Sequence, residues 1–143
     1  MKPACSGDHI NVLFVDDDAD DRMLFQTALE DIETPSRLTV ATNGVEALRV
    51  LGAPDFGVPD VIFIDINMPQ INGWELLANI KRLPALSAVP VIVYSTSTAK
   101  EDKQRMQELG AHAYLVKPVS YAQLCLDLKT SFAALGFGNR KAE

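Results

Sequence analysis

Residues 58–77 read VPDVIFIDINMPQINGWELL, and this stretch decides the fold class. It contains a continuous apolar run, Val61–Ile64, that ends abruptly in Asp65. A loop follows up to Gly73, and apolar residues then recur at helical spacing. An apolar run without polar alternation is typical of a strand buried on both faces, as in a parallel sheet. The stretch therefore predicts a strand–loop–helix unit with a carboxylate at the carboxyl end of the strand.

The same unit recurs along the chain. Four further apolar runs rich in β-forming residues predict strands at residues 10–15, 38–40, 91–94 and 113–116. Segments with helical periodicity separate them, and we expect the fourth, residues 99–109, to be a charged surface helix with only Met106 and Leu109 turned inward. Helix boundaries are indicated by Asn43-Gly44, Gly73, Gly110 and Ser120.

Strand–helix alternation over this length predicts one α/β domain with a doubly wound, five-stranded parallel sheet. We expect the domain to span residues 10–135, between short tails at 1–9 and 136–143. Ligands of such folds bind at the carboxyl ends of the strands, so the chemistry is expected there.

The charge balance narrows the class of partner. Lys and Arg number 13 against 19 Asp and Glu, which gives a net charge of −6 at pH 7. An acidic chain is a poor match for the phosphate backbone of nucleic acids. No apolar run approaches the ~20 residues of a membrane span, and the N-terminus does not resemble a signal peptide. We therefore expect a cytoplasmic protein with neither nucleic acid nor membrane as a partner.

Polar residues stand at the ends of four predicted strands. Asp16-Asp17-Asp18 follows the first strand, Asp65 the third, Ser95 the fourth and Lys117 the fifth. Carboxylates brought together at one sheet edge repel each other unless a hard cation lies between them, and oxygen ligands without His or Cys favour Mg²⁺. A hydroxyl and an ammonium opposite would suit a phosphoryl group.

Each of these residues, taken alone, also has a purely structural interpretation. An acidic run after a strand is often a solvated turn and helix N-terminus, a single Asp is often a cap, and Lys-Pro is often a turn. Their joint occurrence, in order and each at its own strand end, favours a functional site.

The combination resembles the receiver domain of two-component response regulators. The resemblance covers residues 10–133. Its motifs are Val15-Asp16-Asp17, Asp65-Ile66-Asn67-Met68-Pro69 with Gly73, Ser95, and Lys117-Pro118. It implies a flavodoxin-like (βα)5 fold. Too few residues follow position 135 for an output domain, so we expect the stand-alone, single-domain type.

The resemblance also implies the acceptor and the metal ligands. Asp65 would accept a phosphoryl group from a sensor histidine kinase or a His-containing phosphotransfer protein. Asp17, Asp65 and the backbone carbonyl of Asn67 would ligate Mg²⁺ directly, and Asp16 mainly through water. Such a protein takes up one phosphoryl group and loses it slowly by autodephosphorylation, so we do not expect an enzyme with multiple turnover.

Ser95 would hydrogen-bond one phosphoryl oxygen, and Lys117 would pair with another. A cis peptide bond between Lys117 and Pro118 would orient the lysine. Ser95 would move inward on phosphorylation and let Tyr114, at the aromatic switch position, rotate. The surface of helix four, strand five and helix five would change. A downstream protein, or a second copy in a homodimer, would read that surface.

Three departures from the common receiver pattern concern this chain. Ser95 replaces the commoner Thr and keeps the hydroxyl, and Tyr94 is bulkier than the usual aliphatic residue. The loop at residues 52–59 is long, as in stand-alone receivers that work with phytochrome-type kinases.

Two other functions compete with this interpretation. A haloacid-dehalogenase-like phosphohydrolase also uses Asp-x-Asp, here Asp16 and Asp18, but the motif around Asp65 would then go unexplained. A pseudo-receiver regulated without phosphorylation usually lacks a pocket residue, whereas this chain has them all.

Overall fold

The computed structural model describes residues 9–68 and 70–137. Five parallel strands form one sheet in the order β2-β1-β3-β4-β5. A helix follows each strand, so the predicted doubly wound (βα)5 architecture is confirmed. The elements are β1 Ile10–Val15, α1 Ala19–Asp31, β2 Ser36–Ala41, α2 Gly44–Leu51, β3 Val61–Ile64, α3 Gly73–Arg82, β4 Val91–Ser95, α4 Lys100–Glu108, β5 Ala113–Val116 and α5 Tyr121–Ala134.

Two apolar clusters cover the two faces of the sheet. Helices α1 and α5 cover one face, where the aromatic rings of Phe14, Phe25 and Phe63 pack with Phe132 of α5. Helices α2, α3 and α4 cover the other face. Every residue of β3, the central strand, is buried, as its continuous apolar run predicts.

The edge strands depart from that expectation. Three residues of β5 are half-buried and the fourth, Ala113, is exposed, although β5, like β3, is a continuous apolar run. Strand β2 is likewise made of exposed and half-buried positions, apart from Ala41, which is buried. Each edge strand has a neighbour on one side only and lies under the margin of the helical layers, so burial follows strand order rather than composition.

The predicted helix boundaries are found. Asn43 and Ser120 cap α2 and α5 through their side chains, and Gly110 has a φ of 97° just after α4. In α4, Met106 is buried and Leu109 is half-buried, as the charge pattern predicts. Asn72, which the sequence analysis did not single out, forms a capping box with Glu75 at the start of α3.

The expected N-terminal tail, apart from His9, and residues 138–143 of the expected C-terminal tail lie outside the described residues. Phe137 packs against Phe132 at a ring-centroid distance of 6.3 Å, so side-chain packing extends past Leu135. Among the residues described, no helix is both long enough and apolar enough to cross a bilayer.

Candidate functional site

The carboxyl ends of β1, β3, β4 and β5 bring the predicted site residues together. Ladder-like backbone hydrogen bonds continue one residue past the strands: Asp16 N to Ala41 O at 3.1 Å, Asp65 N to Val15 O at 2.9 Å, and Lys117 N to Ser95 O at 2.8 Å. These bonds hold the backbone of each functional residue in the frame of the sheet, so the side chains start from defined positions.

Three carboxylates converge at this edge. Asp16, Asp17 and Asp65 each offer an oxygen, and these oxygens lie within 4.8 Å of one another. Asp16 and Asp65 are buried, whereas Asp17 is exposed. An all-oxygen cluster open to solvent on one side fits a hard divalent cation such as Mg²⁺, which keeps several of its waters. Of the predicted metal ligands, the structure thus juxtaposes all three side chains.

Burial and neighbouring negative charges raise the pKa values of two carboxyl groups in this cluster, Asp65 and Asp16. Burial raises the pKa of Asp65 to about 6, and the negative charge of Asp16 adds to the effect. Burial also raises the pKa of Asp16, against the lowering effect of its hydrogen bond from Lys117. Among the residues that the structure describes, three carboxylates of the pocket face one ammonium, that of Lys117, and a bound cation would relieve the remaining repulsion.

Lys117 lies across the acidic pocket. Its Nζ donates to Asp16 at 2.9 Å and to Asp21 at 2.7 Å, and lies 3.8 Å from Oδ1 of Asp65. Burial alone would lower the pKa of Lys117, but the hydrogen bonds to Asp21 and Asp16 more than offset it, and the pKa is raised. The expected cis peptide before Pro118 is not present: the bond is trans, and the ammonium reaches the carboxylates from that backbone.

Two neighbours of Lys117 were not assigned to the site from the sequence. Asp21 lies in the first turn of α1, where an acidic residue is a local helix signal, but its partner Lys117 lies 96 residues away. The bulky Tyr94 is buried on the α1/α5 face, where it packs against Phe14 and Phe25. The Nζ of Lys117 lies 5.4 Å from the centroid of the Tyr94 ring.

Ser95 is fully buried and connects the pocket to α4. Its Oγ accepts a hydrogen bond from the Ser97 backbone N–H at 3.1 Å. The Ser97 hydroxyl donates in turn to Asp102 of α4 at 2.5 Å. The Tyr114 hydroxyl donates to the Ser97 carbonyl at 3.0 Å, so the two predicted switch residues, Ser95 and Tyr114, share Ser97 as a common neighbour.

The loop after β3 is shaped around Asp65. The backbone N–H of Asn67 hydrogen-bonds the Asp65 carboxylate and stabilises its charged form. The backbone N–H of Gly73 donates to Ile66 O at 2.8 Å, which closes the loop. That Asn67 also offers its carbonyl to a metal stays a prediction.

Not every residue of the acidic run belongs to the pocket. Asp18 is the N-cap of α1 and accepts from the backbone N–H groups of Asp20 and Asp21. Asp18 N donates to the Asp16 carboxylate at 2.9 Å, and Arg22 donates to the Asp16 carbonyl at 2.8 Å. The structural interpretation of an acidic run is thus correct for Asp18, which weakens the Asp-x-Asp alternative.

The profile of the response regulator receiver domain family matches residues 12–129. The chain belongs to this family. Receiver domains are signalling modules rather than turnover enzymes. They are phosphorylated by histidine kinases or phosphotransfer proteins, and they bind Mg²⁺ or Mn²⁺ at an acidic pocket.

Individual relatives agree with this assignment. The probable methanogenesis regulatory protein FilR2 of Methanothrix harundinacea is 33% identical over 116 residues, which is 79% of this chain and 75% of that protein. The phosphorylated cyanobacterial phytochrome response regulator RcpA is 31% identical, with a TM-score of 0.79 over 87% of this chain and 91% of that one. The Mn²⁺-bound form of response regulator Rcp1 is 28% identical, with a TM-score of 0.77 over 87% of this chain and 92% of that one.

Proposed function

We propose that this receiver domain accepts a phosphoryl group on Asp65, with Mg²⁺ bound at the adjacent carboxylates, and works as a single-domain response regulator. The observation that carries the proposal is the convergence around Asp65. One carboxylate oxygen each of Asp16, Asp17 and Asp65 lie within 4.8 Å of one another. The Nζ of Lys117 lies 3.8 Å from Oδ1 of Asp65.

Phosphoryl transfer to Asp65 requires that its carboxylate is ionised and that nearby positive charge compensates the negative charge of the phosphoryl group. A carboxylate oxygen of Asp65 attacks the phosphorus of a phosphohistidine; the O–P bond forms, the N–P bond breaks, and its electron pair returns to the imidazole nitrogen, which takes up a proton. Water later hydrolyses the acyl phosphate to inorganic phosphate and restores Asp65 at a slow rate. With a pKa of about 6, Asp65 is mostly ionised at pH 7 and is available as the nucleophile.

The other pocket residues position the phosphoryl group and compensate its charge. Asp16, Asp17, Asp65 and the Asn67 carbonyl would hold Mg²⁺, which supplies charge neutralisation to the phosphoryl oxygens when bound. Lys117 donates to one phosphoryl oxygen and the Ser95 hydroxyl to another. Ser95 is fully buried at the end of β4, the strand next to the one that Asp65 follows.

Partners follow from the family and from the similar structures. The phosphodonor is a sensor histidine kinase or a phosphotransfer protein in the cytoplasm. A phytochrome-type kinase is favoured because RcpA is a phytochrome response regulator and because the long loop at residues 52–59 resembles that of receivers that work with such kinases. The output is contact with a downstream protein or a second copy through α4, β5 and α5; a net charge of −6 disfavours nucleic acid, and no membrane partner is proposed.

The test is phosphorylation by acetyl phosphate with Mg²⁺, followed by intact mass. We expect one added phosphoryl group on the wild-type chain, none after EDTA, and none on Asp65→Asn. Asp55→Asn, at an exposed carboxylate of the α2–β3 loop, should label normally. If Asp65→Asn labels as well as the wild type, Asp65 is not the acceptor. Continuous release of phosphate from acetyl phosphate at a catalytic rate would instead indicate a phosphohydrolase, and a chain that never labels would indicate a pseudo-receiver.

A further inference from the structure

Lys117 has a shorter contact with Asp21 than with any other carboxylate of the site. Its Nζ lies 2.7 Å from Asp21, 2.9 Å from Asp16 and 3.8 Å from Asp65. The last distance is too long for a hydrogen bond. The lysine is thus held by two carboxylates other than the proposed acceptor.

Asp21 is placed for this contact by the start of α1. Asp18 caps the helix and accepts from the Asp21 backbone N–H at 3.1 Å, which fixes the first helical turn. The Lys117 ammonium also lies over the Tyr94 ring, at 5.4 Å from its centroid. Asp16, Asp21 and the ring together form a cage for the ammonium on the α1 side of the pocket.

The two carboxylates that hold Lys117 differ in how readily they can release it. Asp16 is fully buried, so its charge would be left uncompensated if the ammonium moved away. The Asp21 side chain is 30% exposed, and water can solvate its carboxylate once the bond breaks. A phosphoryl oxygen that recruits Lys117 would therefore displace Asp21 and leave the bond to Asp16 intact.

We infer that Asp21 is a positioning residue that competes with the phosphoryl group for Lys117. This competition lowers the stability of the phosphorylated state and shortens its lifetime. The inference rests on the proposed function, because it concerns the lysine that pairs with the phosphoryl group. It assigns to Asp21 a role in the phosphoryl lifetime that is separate from metal binding.

The test compares Asp21→Asn with Asp20→Asn, a matched loss of one negative charge at an exposed position of the same helical turn. Beryllofluoride serves as the phosphoryl mimic, and its half-saturating concentration is measured by ¹⁹F NMR at Mg²⁺ levels shown to saturate each variant. We expect Asp21→Asn to bind beryllofluoride about three- to tenfold more tightly than Asp20→Asn, since the Lys117–Asp21 ion pair is partly buried and must break before Lys117 can pair with the mimic. The half-life of the acetyl phosphate-derived label should lengthen by a similar factor.

Two further measurements separate positioning from general structure. Asp21→Glu should return beryllofluoride affinity and label half-life toward the wild-type values, because the carboxylate is kept. Melting curves without metal should show that Asp21→Asn and Asp20→Asn are both folded.

The outcomes are distinct. If the wild type binds beryllofluoride but Asp21→Asn is no tighter than Asp20→Asn, the role of Asp21 is wrong and the proposed function stands. If Asp21→Asn binds more weakly, Asp21 assists Lys117 rather than competing for it, and the inference is overturned. A wild type that neither binds beryllofluoride nor accepts a phosphoryl group overturns both.

Discussion

The backbone of Gly73 lies so close to the carbonyl of Asp65 that any side chain at position 73 would collide with it. A Cβ at position 73 would lie 2.6 Å from the Asp65 carbonyl oxygen and 2.7 Å from the Cα of Ile66. Both obstacles are backbone atoms at the end of the central strand, so neither can rotate away. A side chain at the start of α3 would therefore displace the backbone that carries the proposed phosphoacceptor, Asp65.

We expect Gly73→Ala to lower the free energy of unfolding by about 2 kcal/mol or more, because a methyl group must displace the loop that carries Asp65. Labelling by acetyl phosphate should fall as well. Gly52→Ala is the control, since its Cβ would lie 3.4 Å from its nearest neighbour, Leu48 O. Urea unfolding measures both variants; a Gly73→Ala protein as stable as Gly52→Ala would contradict the close approach.

Mg²⁺ should stabilise the folded chain. Asp16, Asp17 and Asp65 repel one another, and a cation that binds only the folded state adds stability by mass action, about 1.4 kcal/mol at tenfold excess over its dissociation constant. We expect millimolar Mg²⁺ to raise the melting temperature by about 3–6 °C. Asp17→Ala should raise the metal-free melting temperature and abolish the Mg²⁺ response, whereas Asp20→Ala should keep that response. An Asp17→Ala protein that resembles the wild type in both respects would exclude Asp17 from the site.

The raised pKa of Asp65 makes stability depend on pH. The folded-state pKa is about 6 against an ordinary value of 3.8, so the folded chain binds more protons than the unfolded chain between these values. The free energy of unfolding of the metal-free protein should consequently gain a contribution as pH falls through 6 toward 4. Asp65→Asn should stabilise the metal-free protein by up to about 3 kcal/mol at pH 7, and this gain should vanish near pH 4.

Urea unfolding with EDTA at a series of pH values measures this effect. Asp55→Asn, in the exposed loop, provides the baseline for loss of a carboxylate outside the pocket. If the gain from Asp65→Asn were constant from pH 4 to pH 8, it would not arise from the titration of Asp65.

Tyr114 should couple the pocket to α4. Its hydroxyl donates to Ser97 O, and Ser97 also contacts Ser95 and Asp102, so a movement of Ser95 would reach α4 through one residue. We expect beryllofluoride to change amide exchange in residues 96–121 of the wild type. Tyr114→Phe should reduce that change by about half or more while Asp65 labels normally, because a single coupling contact has been removed.

Tyr121→Phe controls for the loss of a tyrosine hydroxyl: although Tyr121 is the first residue of α5, its hydroxyl donates to Asp31 of α1 rather than to the loop after β4. Apparent mass measured on the same samples reports whether the association state changes. Unaltered exchange in residues 96–121, together with an unaltered mass, would show that output does not use the α4, β5 and α5 surface.

The fold, and the meeting of the candidate site residues at one edge of the sheet, were predictable because both follow from short-range patterns and strand order. The apolar run of β3 forms a buried strand by its own periodicity, and residues such as Ser120 cap the next helix through bonds that span a few positions. The carboxyl ends of parallel strands meet by construction, so Asp16, Asp65, Ser95 and Lys117 could be placed at one edge from their order along the chain.

What only the tertiary structure decided is how these groups share charge and burial. The pairing of Lys117 with Asp21 joins residues 96 positions apart, and its geometry depends on the packing of α1 against α5, the helix that follows β5. The raised pKa of Asp65 arises from burial and from the neighbouring charge of Asp16, which no local pattern encodes. Likewise, β5 is half-exposed because of its place at the sheet edge. Local sequence determined which elements form, whereas distances of a few ångströms between distant residues determined their electrostatics.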